Sequence, residues 1–219
     1  MSHASDAHPV GLAHHFESLE QQKQSAFFGM WLFLVQEVLF FGGLFVTYVY
    51  YRSQYGDAFA AGSLELDPLT GAINTAVLLI SSFTMVVAVY GAQKGNRNLT
   101  VGGLVGTIVF GAIFLGIKWF YEYGPKISHG LLPGSNFEWH GAAAGPEVEI
   151  FFSLYFAMTG MHALHMVIGI AIMLVMIPLA WRGMWTPGNH NFVEGFGLYW
   201  HFVDIVWIFL FPFLYLIAV

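Results

Sequence analysis

Five long apolar runs separated by shorter polar links set the plan of this chain. They are Ser25–Tyr51, Leu69–Ala92, Leu99–Tyr123, Glu149–Trp181 and Phe192–Val219. A helix needs about 20 mostly apolar residues to cross the hydrocarbon core of a bilayer, and each run reaches that length. Lipid offers the backbone no hydrogen bonds, so each run is expected to satisfy its own amides as a helix. The short alternating strands of a β-barrel do not appear. Between the runs lie Arg52–Pro68, Gln93–Asn98, Gly124–Val148 and Gly183–Asn191. The second link is so short that the helices it joins should be antiparallel neighbours. With no internal repeat in the sequence, the expected fold is all-α and integral to the membrane: one five-transmembrane-helix bundle over residues 25–219. Residues 1–24 form a polar leader. It has no charged start followed by an apolar core, so it is not a cleaved signal peptide. His14 and His15 are expected to be solvated within it.

Composition strengthens this reading. Of 219 residues, 57% are hydrophobic and 9% charged, where a soluble domain carries about 25% charged residues. A water-soluble fold of this size has too little interior to hide so much apolar surface. There is no cysteine, which removes disulfides, thiolate metal sites and iron–sulfur clusters. The net charge of −6 is spread over the links and not gathered in a tail, so no nucleic-acid partner is expected. Lys23, Lys94, Arg97 and Arg182 fall on one side of the five spans. Arg52 and Lys126 fall on the other, with Lys118 expected to snorkel outward to join them. The excess of cations places the N-terminus in the cytoplasm and the C-terminus outside. Trp31, Tyr50, Tyr51, Trp119, Tyr121, Trp181 and Trp185 sit where interfacial anchors belong.

The informative residues are those that lipid rejects. A carboxylate at mid-membrane costs about 2.5–3.5 kcal/mol on insertion scales, so it should face protein or water and have a partner. Glu37, in WLFLVQEVLFFGGLF, lies deep in the first span among Phe33, Phe40, Phe41 and Leu44. Two readings fit it: an acid hydrogen-bonded within or between helices, or a group that takes up protons or couples to a partner subunit. His162 and His165, in TGMHALHMVIG, share a face of the fourth span. Glu194, His201 and Asp204, in EGFGLYWHFVDIVW, fall on one stripe of the fifth. These five could hold a metal or haem between two helices. The expected arrangement is instead a buried hydrogen-bond network joining spans four and five, helped by close approach at Gly160, Ala163, Gly169, Gly195 and Gly197. Glu122, in WFYEYGP, can reach the outer interface and is expected to be an interfacial acid. Asn74, Ser81, Ser82 and Thr84 suit hydrogen bonds between helices. Glu138, Glu147 and Glu149 belong to solvated loops.

Five segments together resemble the subunit III family of haem-copper terminal oxidases. They are WLFLVQEVLFFGGLF, INTAVLLISSFTM, YEYGPKISHG, YFAMTGMHALHMVIG and NHNFVEGFGLYWHFVDIVWIFLFP. They follow the family's order and cover the chain from about Ser25 to its end. The resemblance implies an accessory subunit without catalytic residues, metal or redox cofactor of its own. It would sit beside the catalytic subunit I and other oxidase subunits, with haems and copper held by those partners. On the same resemblance it would stabilise subunit I, assist proton uptake and bind phospholipid. Glu37 matches the family's buried acid, Glu122 its YE motif, and His162, His165, Glu194, His201 and Asp204 the polar positions of its last two spans. Many members have seven helices; five match the shorter bacterial forms, whose lipid cleft would lack one wall. A bacterial inner membrane follows as the expected location. Two rival readings stand beside this one: a self-standing metal or haem protein, and a proton-coupled transporter using Glu37 and Asp204.

Overall fold

Capping side chains mark where three of the spans start, and the first of them lies inside the expected leader. In the computed structural model, which describes residues 16–141 and 145–217, helix α1 runs over Leu19–Gln54. The Ser18 hydroxyl caps it by accepting from the backbone N–H of Gln21 at 3.1 Å. Glu20 in its first turn and Arg52 in its last both oppose the helix dipole. His14 and His15 lie outside the described residues. The link that follows is not irregular: it holds a short helix α2, Gly56–Leu64.

Helix α3, Pro68–Gln93, begins with Pro at its first position and Asp67 as its cap. The Asp67 carboxylate accepts from the N–H groups of Leu69 and Thr70 at 3.1 Å each, and from the Thr70 hydroxyl. Those donors, the Thr70 hydroxyl first, hold its carboxyl below the usual range. A lowered folded-state value stabilises the fold above the unfolded value and is lost as pH falls through the folded one. Asp67→Ala should therefore destabilise the start of α3 by about 1 kcal/mol at neutral pH. That difference should fade under acid, read by thermal melts of the wild type and variant in detergent at several pH values.

Helix α4 spans Arg97–Ile117 and is capped by Asn96. The turn before it needs Gly95, whose φ of +66° lies in the left-handed region. The α3–α4 pair packs tightly because Gly103 lets the backbones meet. A Cβ there would lie 2.7 Å from the Cα of Ala88. Beyond Ile117 the third span continues as a π-helical stretch, Lys118–Tyr123, and then as a short helix α5, Gly124–Ser128. Helices α6, Val148–Trp181, and α7, Asn191–Tyr215, complete the five spans. All five are long and apolar enough to cross a bilayer. At helical rise α1 measures about 54 Å, well beyond a hydrocarbon core of about 30 Å, so its ends reach past the lipid tails.

Helix α7 is the axis of the bundle, touching α1, α3 and α6, while α4 closes against α6. Its Trp200 is fully buried and fits a slot made by two glycines. A Cβ on Gly169 would lie 2.7 Å from the indole, and one on Gly111 would lie 3.2 Å from it. The indole N–H donates to Ser81 Oγ at 3.1 Å. Of the other glycines expected to seat α6 on α7, Gly195 instead meets Met30 of α1 and Gly197 meets Val89 of α3. Helix α1 leans on α6 and α7 and is the least enclosed span. Near its C-terminal end the Tyr48 hydroxyl donates to the carbonyl of Phe213, and Phe59 of α2 packs between Tyr48 and Phe151. Six of the seven expected interfacial aromatics are exposed or half-exposed, whereas Trp185 is buried against the core.

Candidate functional site

The first-span acid finds its partner on the fourth span. Glu37 is buried, and His165 Nε2 lies 3.1 Å from its Oε2. The other ring nitrogen, Nδ1, sits 2.8 Å from the carbonyl oxygen of Met161, one turn earlier on α6. Nδ1 is therefore the donor to that carbonyl, which leaves Nε2 to meet the carboxyl. The Tyr199 hydroxyl donates to the His165 carbonyl oxygen at 2.8 Å, tying α7 to the same turn of α6. Phe41 packs its ring 5.3 Å from the imidazole. The pair forms the floor of a cleft of about 1260 Å³ between α1, α3, α6 and α7. The cleft has apolar walls, including Phe33, Val89 and Ile168, and a polar mouth that includes Lys23, His190 and Glu194.

At that mouth Glu194 does not reach span four. It accepts from the side-chain amide of Gln93 on α3 and lies 3.3 Å from His190 Nε2. His201 also turns to α3, with Nδ1 2.7 Å from Ser82 Oγ. Asp204, one turn further along α7, lies beside the same serine. Both its carboxyl oxygens are buried without a hydrogen-bond partner. His162 is fully enclosed, its ring 5.4 Å from Phe114 and 5.3 Å from Trp207. Neither of its nitrogens has a partner. The expected network of side chains between spans four and five is thus replaced by three separate links. His165 goes to α1, and Glu194 and His201 go to α3. The cause is rotation about each helix axis: residues three apart share a face only broadly, and α7 is surrounded on several sides. Among the described residues no three His, Asp or Glu side chains converge as a metal site would need.

The largest departure from the sequence reading concerns Lys118 and Glu122. Both are buried within the bundle, with exposures of 2% and 1%. Lys118 Nζ lies 2.7 Å from Glu122 Oε2, and the hydroxyls of Tyr155 and Tyr215 donate to the same oxygen. The ammonium is also boxed by aromatic faces, 4.8 Å from the Tyr155 ring centre and 4.9 Å from that of Trp207. The reason is local. A π-helical turn carries an extra residue, which rotates the end of the third span so that both ionic side chains point into the bundle. Tyr155 and Tyr215 were not singled out in the sequence. The signal that could have found the cluster was a Lys and a Glu four residues apart within an apolar span.

The sequence of this chain matches known proteins along nearly its whole length. The family pattern described as cytochrome c oxidase subunit III matches residues 15–219. Cytochrome bo(3) ubiquinol oxidase subunit 3 of Pseudomonas aeruginosa is 32% identical, over 99% of this chain and 95% of its own. Cytochrome c oxidase subunit 3 of Synechocystis is 35% identical, over 87% of this chain and 75% of its own. A heme-copper oxidase subunit I+III of Aeropyrum pernix is 29% identical, with 86% of this chain aligned to 22% of that longer protein. The ordered polar positions, the five spans and these matches agree: the chain belongs to the cytochrome c oxidase subunit III family.

Proposed function

We propose that this chain is the accessory subunit III of a proton-pumping haem-copper terminal oxidase. In this role it packs beside the catalytic subunit I, stabilises it during turnover and assists proton uptake as oxygen is reduced to water. The observation that carries the reading is the Glu37–His165 pair. A carboxyl and an imidazole meet at 3.1 Å, deep in the membrane, on the floor of a cleft whose mouth is lined by charged and polar side chains. An ionisable residue inside a membrane is by default a functional group, and this one faces a cavity and not lipid alone. Haems and copper belong to the partner subunits, and the cleft's apolar walls suit bound phospholipid. Association with subunit I draws support from the Aeropyrum pernix relative, whose name joins subunits I and III in one chain. The excess of cations on the side of Lys23, Lys94, Arg97 and Arg182 supports a reading in which that side faces the cytoplasm and the membrane domain sits in a bacterial inner membrane.

Glu37→Gln tests the proton-linked part of this proposal. The amide keeps the shape of the carboxyl and can still hydrogen-bond to His165, so assembly should be retained. Turnover rate, proton pumping and the number of turnovers before inactivation would be measured on the purified oxidase. The expected result is slower turnover with earlier inactivation. Unchanged values of all three would remove Glu37 from the functional account and leave a structural hydrogen bond.

A further inference from the structure

Four buried side chains on four different spans carry polar atoms without partners, and each is linked to Trp207 directly, through one intervening residue or along one helical turn. Asn74 of α3 has neither amide atom bonded, Glu122 has Oε1 free, and His162 and Asp204 have no bonded side-chain atom. All four residues are at least nine-tenths buried. Contacts around Trp207 relate the four to one another. The His162 ring lies 5.3 Å from the indole. Lys118, which pairs with Glu122, lies 4.9 Å from it. Asp204 precedes Trp207 by one helical turn. The indole N–H donates at 3.1 Å to Thr75 Oγ1, on the residue after Asn74.

An unpartnered buried polar group costs roughly 1–3 kcal/mol, and here lipid surrounds the bundle, so no outside solvent relieves it. Seven such atoms, all on four side chains of the bundle interior, call for partners. Ordered water is the usual remedy, one molecule making about three bonds to groups of this kind. The atoms are complementary for that purpose: carboxyl oxygens accept, the amide nitrogen donates, and each imidazole nitrogen does one or the other.

We propose that Asn74, Glu122, His162 and Asp204 line an internal water-binding site around Trp207, where ordered water hydrogen-bonds four spans to one another. The site lies between two polar clusters already seen, the Lys118–Glu122–Tyr155–Tyr215 group on one side and His201–Ser82 on the other. His201, bonded to Ser82, in turn lines the cleft that ends on Glu37. The bundle interior is then a wet seam, not a dry core with isolated polar residues.

Radiolytic labelling of the intact oxidase in heavy-oxygen water tests this without a mutation. Hydroxyl radicals made from water held beside a ring hydroxylate that ring, even where bulk solvent has no access. Trp200 is the internal control: it lies on the same helix, is equally buried, and its indole N–H is bonded to Ser81 in a slot closed by glycines. The expected result is label on Trp207, and on its neighbour Phe114, several-fold above that on Trp200. Label on Trp207 no greater than on Trp200 would overturn the proposal.

Discussion

Replacing Lys118 with Met should destabilise the folded subunit by about 3–5 kcal/mol, because it removes the cation and leaves the Glu122 carboxylate buried and unpaired. Met keeps the length and much of the volume of the lysine stem, so the loss is electrostatic and not a cavity. Two tyrosine hydroxyls still donate to Glu122 after the change, which puts the effect toward the lower end of that range. The informative comparison is with Lys118→Met combined with Glu122→Gln. Removing both charges leaves no uncompensated ion, and a neutral pair in a buried site is often as stable as the ionic one. The double variant should therefore recover most of the loss. The readout is the temperature at which the subunit dissociates from the purified oxidase. A double variant as weak as the single one would mean that the ammonium matters chiefly for its contacts with the aromatic box.

The second large effect is expected at Trp200. Truncation to Ala empties the slot between Gly111 and Gly169 and removes the indole N–H from Ser81 Oγ, which keeps its own bond to the Thr107 carbonyl. In a soluble core such a change costs about 3–5 kcal/mol, the sum of a transfer term and a cavity term. Inside a lipid-embedded bundle the transfer term shrinks, since lipid tails are as apolar as the core; packing is what holds the helices together. A loss of about 2–4 kcal/mol is expected. Trp200→Phe should lose less, because it keeps a ring in the slot. Equal melting of wild type and Trp200→Ala in detergent would show that the four helices close around the gap.

The five spans were legible because lipid imposes a length and a polarity that few other environments impose, and a run such as Glu149–Trp181 satisfies both. The costly residues were legible for the same reason: Glu37, His162, His165 and Asp204 stand out against apolar neighbours. Their partners were not. Glu37 and His165 lie 128 positions apart, and nothing in either segment encodes how far each helix is rotated about its axis. Small rotations decide whether His201 meets α6 or α3. Lys118 and Glu122 were misplaced for a different reason. Depth along a regular α-helix put them at the outer interface, but the π-helical turn changes the count of residues per turn and swings both inward. The start of α1 was set by the Ser18 cap, a local hydrogen bond that overrides the hydropathy boundary.

The contacts that hold α1 also fix a timetable for its synthesis. Its two polar pins, Glu37 to His165 and Tyr48 to Phe213, join residues 128 and 165 positions apart. A ribosome adding about 5–20 residues per second needs roughly 6–25 s to make the first of those gaps. During that interval α1 stands in the bilayer before α6 and α7 exist, with a glutamate at mid-depth and no imidazole to meet it. Its first span must be inserted on the strength of its apolar length alone, and it is sheltered only when the last two spans arrive. Premature termination after α4 would thus leave a three-span fragment with an unpaired acid in lipid, a ready target for membrane quality control.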